Sequence, residues 1–333
     1  MRDVAKACGL AMSTVSNALA NKSMVRPETR MMVRHMAEQL GYRASSVARG
    51  LRTGKTWSVA MVIADITNPF HGEVVRGVES VLVDAGYHLF LANTDGSPKK
   101  QTHYVEHFID RQVDGMILQS HSADDSDLRL LMSAQVPTVY LLSRPSVSDE
   151  LDFVGIENTQ SMRAALNHLW AFGHRRIGFI GGPRRSSGAT QRLEAYEEFM
   201  RSAAGTCDPA LIDQGDYTIE SGRVAAARLL SRAAPTALMV SEDMMALGAM
   251  TAASELGLKV PQDLSIVGWS DLFTSGLPQI NLTTLNVPKR ELGHEAARLL
   301  MRRLGEPDAA FETRLVRPQL VVRGTTGVAS NQA

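Results

Sequence analysis

The stretch from Val4 to Leu19 constrains this chain more than any other. Small and apolar residues at Val4, Ala5 and Cys8, and again at Val15, Ala18 and Leu19, recur at helical spacing on either side of Gly9. Glycine reaches the positive φ that a tight reversal needs, so the spacing predicts two short helices joined by a sharp turn, a helix-turn-helix. The second helix opens with Met12, Ser13 and Thr14, and Ser16 and Asn17 follow within a turn. Residues at the start of such a helix are the ones that meet base edges in a major groove. Pro27 and Glu28 then begin a third helix, with Met32, Val33, Met36 and Leu40 on one face and Gly41 as its stop. The segment Ser45 to Arg52 suffices for about two helical turns, too short to be stable alone, and is expected to fold only against something else.

The net charge of zero conceals an asymmetry. Residues 1–56 hold ten Lys or Arg against three Asp or Glu, and the rest of the chain holds 25 basic against 32 acidic residues. A small basic module therefore precedes a larger acidic one. Basic charge concentrated on a helical module is the electrostatic footprint of nucleic-acid binding, and with the helix-turn-helix spacing it outweighs the alternative of a solvated surface. The two cysteines, Cys8 and Cys207, fall in different modules and make no disulfide framework, which points to a reducing cytoplasm. Asp3 and Lys6 interrupt what would have to be an apolar signal core, and no apolar run approaches eighteen residues. Neither export nor membrane insertion is expected.

Beyond Thr56 the pattern changes to short apolar runs alternating with amphipathic helices, the signature of parallel α/β architecture. Strands are expected at 58–64, 88–93, 115–119, 137–142, 153–156, 176–181, 236–241, 264–268 and 282–287. Helices are expected at 72–85, 101–111, 160–172, 189–203, 221–232, 244–256 and 290–304. These are too many strands for one small sheet. Ligands in open α/β sheets sit outside the carboxyl ends of the strands, which selects Asp65 to His71, Ser143 and Arg144, Gly182 to Arg192, Tyr217, Glu242, and Trp269 with Ser270.

The run Asp3-Val4-Ala5 with Gly9, Ser13-Thr14-Val15-Ser16, Pro27-Glu28-Thr29-Arg30, Leu40-Gly41-Tyr42 and Ala48-Arg49-Gly50-Leu51-Arg52-Thr53-Gly54 resembles the headpiece and hinge of the lactose/galactose-repressor family. The resemblance continues through Asp65-Ile66-Thr67-Asn68-Pro69-Phe70, Val113-Asp114-Gly115, Gly173-His174-Arg175-Arg176-Ile177-Gly178, Met245-Ala246-Leu247-Gly248-Ala249, Val260-Pro261-Gln262-Asp263, Leu282-Thr283-Thr284 and Leu320-Val321-Val322-Arg323-Gly324. It implies a small all-α helix-turn-helix headpiece followed by an α/β, periplasmic-binding-protein-like (type I) effector domain of two Rossmann-like subdomains. The divisions it implies are a headpiece at 1–44, a hinge helix and linker at 45–57, an effector-binding and dimerisation domain at 58–328, and a disordered tail at 329–333. Within the effector domain the N-subdomain takes about 58–157 and 287–316, and the C-subdomain about 158–286 and 317–328.

The function so implied is a homodimeric transcriptional repressor that binds a pseudo-palindromic operator and answers to a small molecule in the inter-subdomain cleft. Met12 and Ser13 would enter the major groove, Thr14, Ser16 and Arg49 would hold phosphates, and Leu51 would wedge between base steps in the minor groove. Two departures alter the headpiece. Ala11 stands where the family has a capping serine, removing an acceptor worth about 0.5–2 kcal/mol, and Asn17 replaces an arginine. In the cleft, Arg192 matches the family's effector-gripping arginine and Phe70 and Tyr217 match positions packed on the ligand; Asp65, His71, Arg144, Glu242, Trp269 and Ser270 complete the expected set. Ser143 and Ser270 stand where many sugar-responsive members carry aspartates, and Glu242 where an asparagine is usual. Losing two carboxylates near Arg144 and Arg192 favours an anionic ligand, whereas Glu242 opposes one. The expected effector is a sugar or sugar acid, with nucleobases, phosphorylated metabolites and a protein corepressor as alternatives.

Three motifs invite other readings. His103-Tyr104-Val105-Glu106-His107 fits the H-x-x-E-H of zinc hydrolases, but its apolar neighbours Tyr104, Val105, Phe108 and Ile109 mark a helix covering a sheet, with the charged groups in solvent. Gly50 to Thr56 lacks the first glycine of a phosphate-binding loop, since Arg49 occupies that position, and Gly178, Gly181 and Gly182 miss the dinucleotide spacing. No catalytic residues, cofactor or metal are expected. A solute receptor would share the cleft but have no use for the first 52 residues.

Overall fold

The computed structural model describes residues 1–42, 54–119, 126–145 and 151–330. They form two compact units, Met1–Trp57 and Ser58–Ala333. In the first, helices α1 (Arg2–Cys8), α2 (Met12–Leu19) and α3 (Pro27–Gln39) enclose a core of Val4, Ala5, Val15, Ala18, Val25, Val33 and Ala37. Gly9 closes α1 at φ 65°, where its amide reaches back to Lys6 O, the left-handed C-cap that glycine supplies without steric cost. Pro27 opens α3 at a position whose amide needs no intrahelical partner. The buried stripe of α3 is Val33 and Ala37 with Met36 half-buried; Met32 and Leu40, expected on that face, are 44% and 48% exposed. Val33 and Ala37, four residues apart, fill the stripe of α3 that faces the headpiece core, which leaves the larger pair to either side of it.

The second unit is built on two six-stranded sheets. Strand β1 (Ser58–Ile63) is apolar from Val59 onward and buried along its whole length, as expected of a central parallel strand covered on both faces. With β2 (His88–Asn93), β3 (Gly115–Leu118), β4 (Thr138–Leu141), β5 (Asp152–Ile156) and β11 (Thr313–Val316) it forms the first sheet, in the order β11-β5-β4-β3-β1-β2. The second comprises β6 (Ile177–Gly181), β7 (Ile212–Gln214), β8 (Ala237–Val240), β9 (Ser265–Ser270), β10 (Thr283–Asn286) and β12 (Gln319–Val321), ordered β12-β10-β9-β8-β6-β7. All pairs are parallel except β10 with β12. The helices between strands are α4 (Pro69–Asp84), α5 (Pro98–Asp110), α6 (Ser126–Ser133), α7 (Thr159–Ala171), α8 (Ser187–Ala204), α9 (Ile219–Ala233), α10 (Asp243–Glu255) and α11 (Lys289–Gly305).

Each sheet is thus closed by chain returning from the C-terminal third, and the chain passes between the lobes after β5, after β10 and after β11. Elements absent from the sequence expectation are β7, β11, β12 and α6. The three strands are edge strands of three or four residues, half-exposed and rich in polar groups, so neither a continuous apolar run nor clean alternation announces them. Ala329, expected to begin a loose tail, donates its amide to Phe172 O at 2.8 Å.

Two helix pairs pack backbone to backbone. In the first lobe, α4 and α11 meet at Gly77 and Gly293; in the second, α9 and α10 meet at Gly222 and Gly248. A Cβ at Gly293 would stand 2.1 Å from Val74 O, whereas one at Gly305, in the same helix, would meet nothing within 4 Å. Gly293→Ala is therefore expected to cost about 1–3 kcal/mol in urea unfolding, and Gly305→Ala to cost nothing. Equal midpoints for the two variants would contradict the close crossing.

Candidate functional site

The carboxyl ends of both sheets open on one cavity of about 450 Å³. From the first lobe come the segment after β1 (Asp65, Asn68, Phe70, His71) and the residues after β2, β3 and β4 (Asp95, Gln119, Ser143); from the second come Arg192, Tyr217, Ser241, Glu242, Trp269 and Ser270. Asn68 caps α4 by accepting from Phe70 N at 2.9 Å, which with Pro69 at the first position turns Phe70 and His71 inward, both buried. Their rings meet edge to face at 5.5 Å.

Arg192 is the centre of the polar lining. Although only 7% exposed, it donates to Asn158 Oδ1 (3.2 Å) and Tyr217 Oη (2.8 Å), and its guanidinium lies over the Trp269 ring at 5.0 Å, a desolvated cation–π contact. Tyr217 is held at φ 73°, and the space for its ring exists because residue 182 is glycine: a Cβ there would fall 2.2 Å from Tyr217 Oη. Arg192 Nε, Trp269 Nε1, Ser241 Oγ and Glu242 Oε1 are buried with no hydrogen-bond partner. Since burying an unpaired polar atom costs about 1–3 kcal/mol, four of them around one cavity mark a surface suited to a polar ligand.

Two adjacent carboxyl groups end the β8 segment. Asp243 is wholly buried but filled by donors: Thr284 Oγ1 at 2.6 Å on Oδ1, and Ser275 Oγ at 2.6 Å and Leu272 N at 2.9 Å on Oδ2. Glu242 caps α10 by accepting from Met244 N at 2.6 Å on Oε2, while Asn68 approaches it from the opposite lobe. Burial pushes both carboxyls upward, and for Glu242 the neighbouring Asp243 charge adds to the effect, taking it to about 8. Nearby, burial pulls the Lys289 ammonium down, and its Nζ donates to Ser270 O, Asp271 O and Val287 O.

Most residues selected from the sequence line this cavity: Asp65, Phe70, His71, Arg192, Tyr217, Glu242, Trp269 and Ser270 all do. Arg144 does not. Its backbone amide is held by Ser187 Oγ at 3.0 Å, and its guanidinium turns toward Thr313 Oγ1 (3.4 Å) and the Phe153 ring (6.0 Å), which removes one of the two cations expected beside the ligand. Trp269 and Ser270 lie inside β9 instead of after it, because the strand runs to residue 270. Asn158, Asp95, Gln119, Ser241 and Asp216 also line the cavity and went unselected; Asp95 and Asn158 follow expected strands, Gln119 and Ser241 end expected strands that stop one residue earlier, and Asp216 follows β7, which the sequence did not announce.

In the headpiece, Met12 (47% exposed) and Ser13 lie on the outer face of α2, with Thr14, Ser16 and Asn17 half-buried. Asn17 Nδ2 lies 3.7 Å from Met24 Sδ. Ala11 precedes α2 with no side-chain cap. Arg2, Lys6, Lys22, Arg26 and Arg34 are exposed on the same unit. Arg49 and Leu51 lie outside the described residues. His103, Glu106 and His107 are exposed on α5, where Arg111 Nε donates to His107 Nε2 at 2.9 Å; no cluster of three metal-ligating side chains occurs among the described residues.

A helix-turn-helix unit followed by a two-lobed α/β domain with a polar cleft defines a ligand-binding, DNA-binding regulator. Residues 1–45 match the bacterial regulatory proteins of the lacI family, and residues 166–326 match the periplasmic binding protein-like domain. The transcriptional repressor CytR of Escherichia coli K12 is 32% identical over 98% of this chain and 96% of its own. Among solved structures, the lac repressor dimer bound to operator and the anti-inducer ONPF superposes with a TM-score of 0.87 at 26% identity over 98% of both chains. The regulator CelR in complex with cellobiose superposes at 0.76, with 30% identity over 97% of this chain and 98% of that one. The chain belongs to the lacI family of bacterial regulatory proteins: it is a DNA-binding transcriptional repressor and not an enzyme. Among the described residues no helix is long and apolar enough to cross a membrane.

The buried carboxyl at Glu242 makes stability depend on pH. Its folded value lies above the ordinary 4.5, so the folded state holds a proton that the unfolded state releases first. The stabilisation is complete below about pH 4.5 and is lost as pH rises through about 8. Melting temperatures of wild type and Glu242→Gln are therefore expected to diverge between pH 5 and 8, with wild type losing ground as pH rises; parallel curves would refute the assignment.

Proposed function

We propose that this repressor acts as a homodimer on a pseudo-palindromic operator in the cytoplasm and is controlled allosterically by a sugar or sugar acid bound between its lobes. The observation that carries the reading is the set of buried, unpartnered polar atoms on Arg192, Ser241, Glu242 and Trp269 around the cavity. Hydroxyl-bearing ligands supply both donors and acceptors to such atoms, and the faces of Trp269 and Phe70 offer apolar surface to a sugar ring. The cellobiose complex of CelR supports the same class. On the DNA side, Met12 and Ser13 would read the major groove, Thr14, Ser16 and Arg49 would hold phosphates, Asn17 would reach a base, and Leu51 would wedge in the minor groove.

Control requires a two-state element. Asp65, Phe70 and His71 belong to one lobe and Arg192, Tyr217, Glu242, Trp269 and Ser270 to the other, so a ligand touching both favours the closed arrangement and thereby changes the spacing of the segments leading to the paired headpieces.

The operator would be found by selection from randomised duplexes and binding read by fluorescence anisotropy. Arg192→Ala is expected to retain operator binding in the empty state and to lose the response to the sugar that moves wild type. Operator affinity is expected to fall by about 10³–10⁵ between about 50 and 200 mM salt if roughly six to ten phosphates are neutralised. Failure to enrich any sequence, with or without sugars, would overturn the proposal.

A further inference from the structure

Among the polar groups lining the cleft, Glu242 is chemically out of place. It is 6% exposed, its Oε2 accepts from the Met244 amide while its Oε1 makes no hydrogen bond, the Asn68 side chain approaches it from the opposite lobe, and the next residue is a second buried carboxyl. Buried carboxyl groups next to one another in the chain oppose each other's ionisation. The geometry decides which one keeps its charge. Asp243 accepts three hydrogen bonds across both oxygens, a shell that favours an anion, whereas Glu242 has a vacant oxygen on which a proton can sit. A protonated carboxyl is a donor. The unpartnered Nε of Arg192 and Nε1 of Trp269 are donors as well.

We propose that the Glu242 carboxyl stands in the empty cleft as a neutral acid and donates its proton in a hydrogen bond to an acceptor oxygen of the effector, so that effector binding is lost when Glu242 ionises. The proposal rests on the reading of this cleft as the effector site and adds which atom of the ligand is read there: an acceptor, whether a sugar-acid carboxylate or a ring or hydroxyl oxygen of a neutral sugar. It also removes the conflict posed by a glutamate in a site built around Arg192, since a neutral acid does not repel an anion.

The charged groups packed around Glu242 leave this assignment intact. On its own helix Asp243 opposes ionisation, and Lys289, at the start of α11, is the cation that favours it. The Lys289 ammonium is itself held by the carbonyls of Ser270, Asp271 and Val287. Across the cleft stand Asp65, whose Oδ1 accepts from Thr67 N and Oγ1, and His71; Arg192 closes the remaining side over Trp269. Burial dominates the sum and sets the titration near 8.

Two measurements test this on the full-length protein. Infrared difference spectra of the ligand-free protein at pH 7, wild type minus Glu242→Gln, should contain the carbonyl stretch of a protonated carboxyl, converting to a carboxylate band as pH is raised. Calorimetric titrations with D-gluconate, D-galacturonate, D-glucose, D-galactose and cellobiose between pH 6 and 10 should show affinity falling about tenfold for each pH unit above the midpoint. Glu242→Gln, which keeps a neutral donor, should give a flat profile, with operator binding as the check on its folding. Stronger response to the two acids identifies a carboxylate as the acceptor, and stronger response to the neutral sugars identifies a hydroxyl or ring oxygen. Absence of the acid band at pH 7 overturns the proposal whatever the ligand, as does a flat wild-type profile or an equal slope in Glu242→Gln. If no probe binds at any pH while the acid band is present, the neutral acid stands and the sugar reading of the cleft falls.

Discussion

Removing a carboxyl group from water is tolerated only where donors take the place of the water, and the carboxyl end of β8 displays both the rule and its exception. Asp243 has its donors from three separate segments, Leu272, Ser275 and the β10 residue Thr284. It therefore ties the loop after β9 and the neighbouring strand to the start of α10. That anchoring holds Trp269 and Ser270 at the cleft, and Trp269 in turn carries the Arg192 guanidinium. Much of the second lobe's lining is thus positioned by one satisfied carboxylate, and Glu242 beside it is left with an oxygen to present.

The same division between satisfied and vacant groups separates scaffold from site elsewhere. His174 is buried, but its ring nitrogens meet Thr236 Oγ1, Ser265 Oγ and Gly327 O, and it serves to dock the end of the chain. Asp152 and Arg303 are buried as a pair at 2.8 Å, with the guanidinium also donating to Pro307 O and Ala309 O. Neither leaves a hydrogen-bonding need for a ligand to meet. In the cleft, by contrast, four such needs gather around one cavity, and it is their convergence on a concave surface that marks the functional site.

The strongest elements of the fold were legible in the sequence because they are periodic: β1 reads as an apolar run from Val59 onward, and α1 and α2 announce themselves around Gly9. The edge strands β7, β11 and β12 were not, since their residues satisfy backbone pairing and not a core, and their place is decided by chain returning from far away in sequence. The site was partly legible for the same reason that the sheets were. A parallel strand delivers the residue after it to one rim, so Asp65 and Glu242 could be named without coordinates. Arg144 obeys that rule and still fails, because side-chain direction is a tertiary property: Phe153 and Thr313, on neighbouring strands, draw it away. The hydrogen-bonding state of Glu242 lay beyond reach of sequence, as it depends on which donors Asp243 has already taken.

The three passages between lobes have a kinematic meaning. The passages after β5 and β11 leave from neighbouring strands of the first sheet and the passage after β10 returns from the second, and Lys289 gathers three carbonyls at this middle passage. A joint made of several short tethers resists sliding and stretching far more than bending. On the proposed reading such a joint leaves the lobes one soft coordinate, a rotation about it, and a bound ligand would then do mechanical work along a path set by covalent connectivity and not by its own shape.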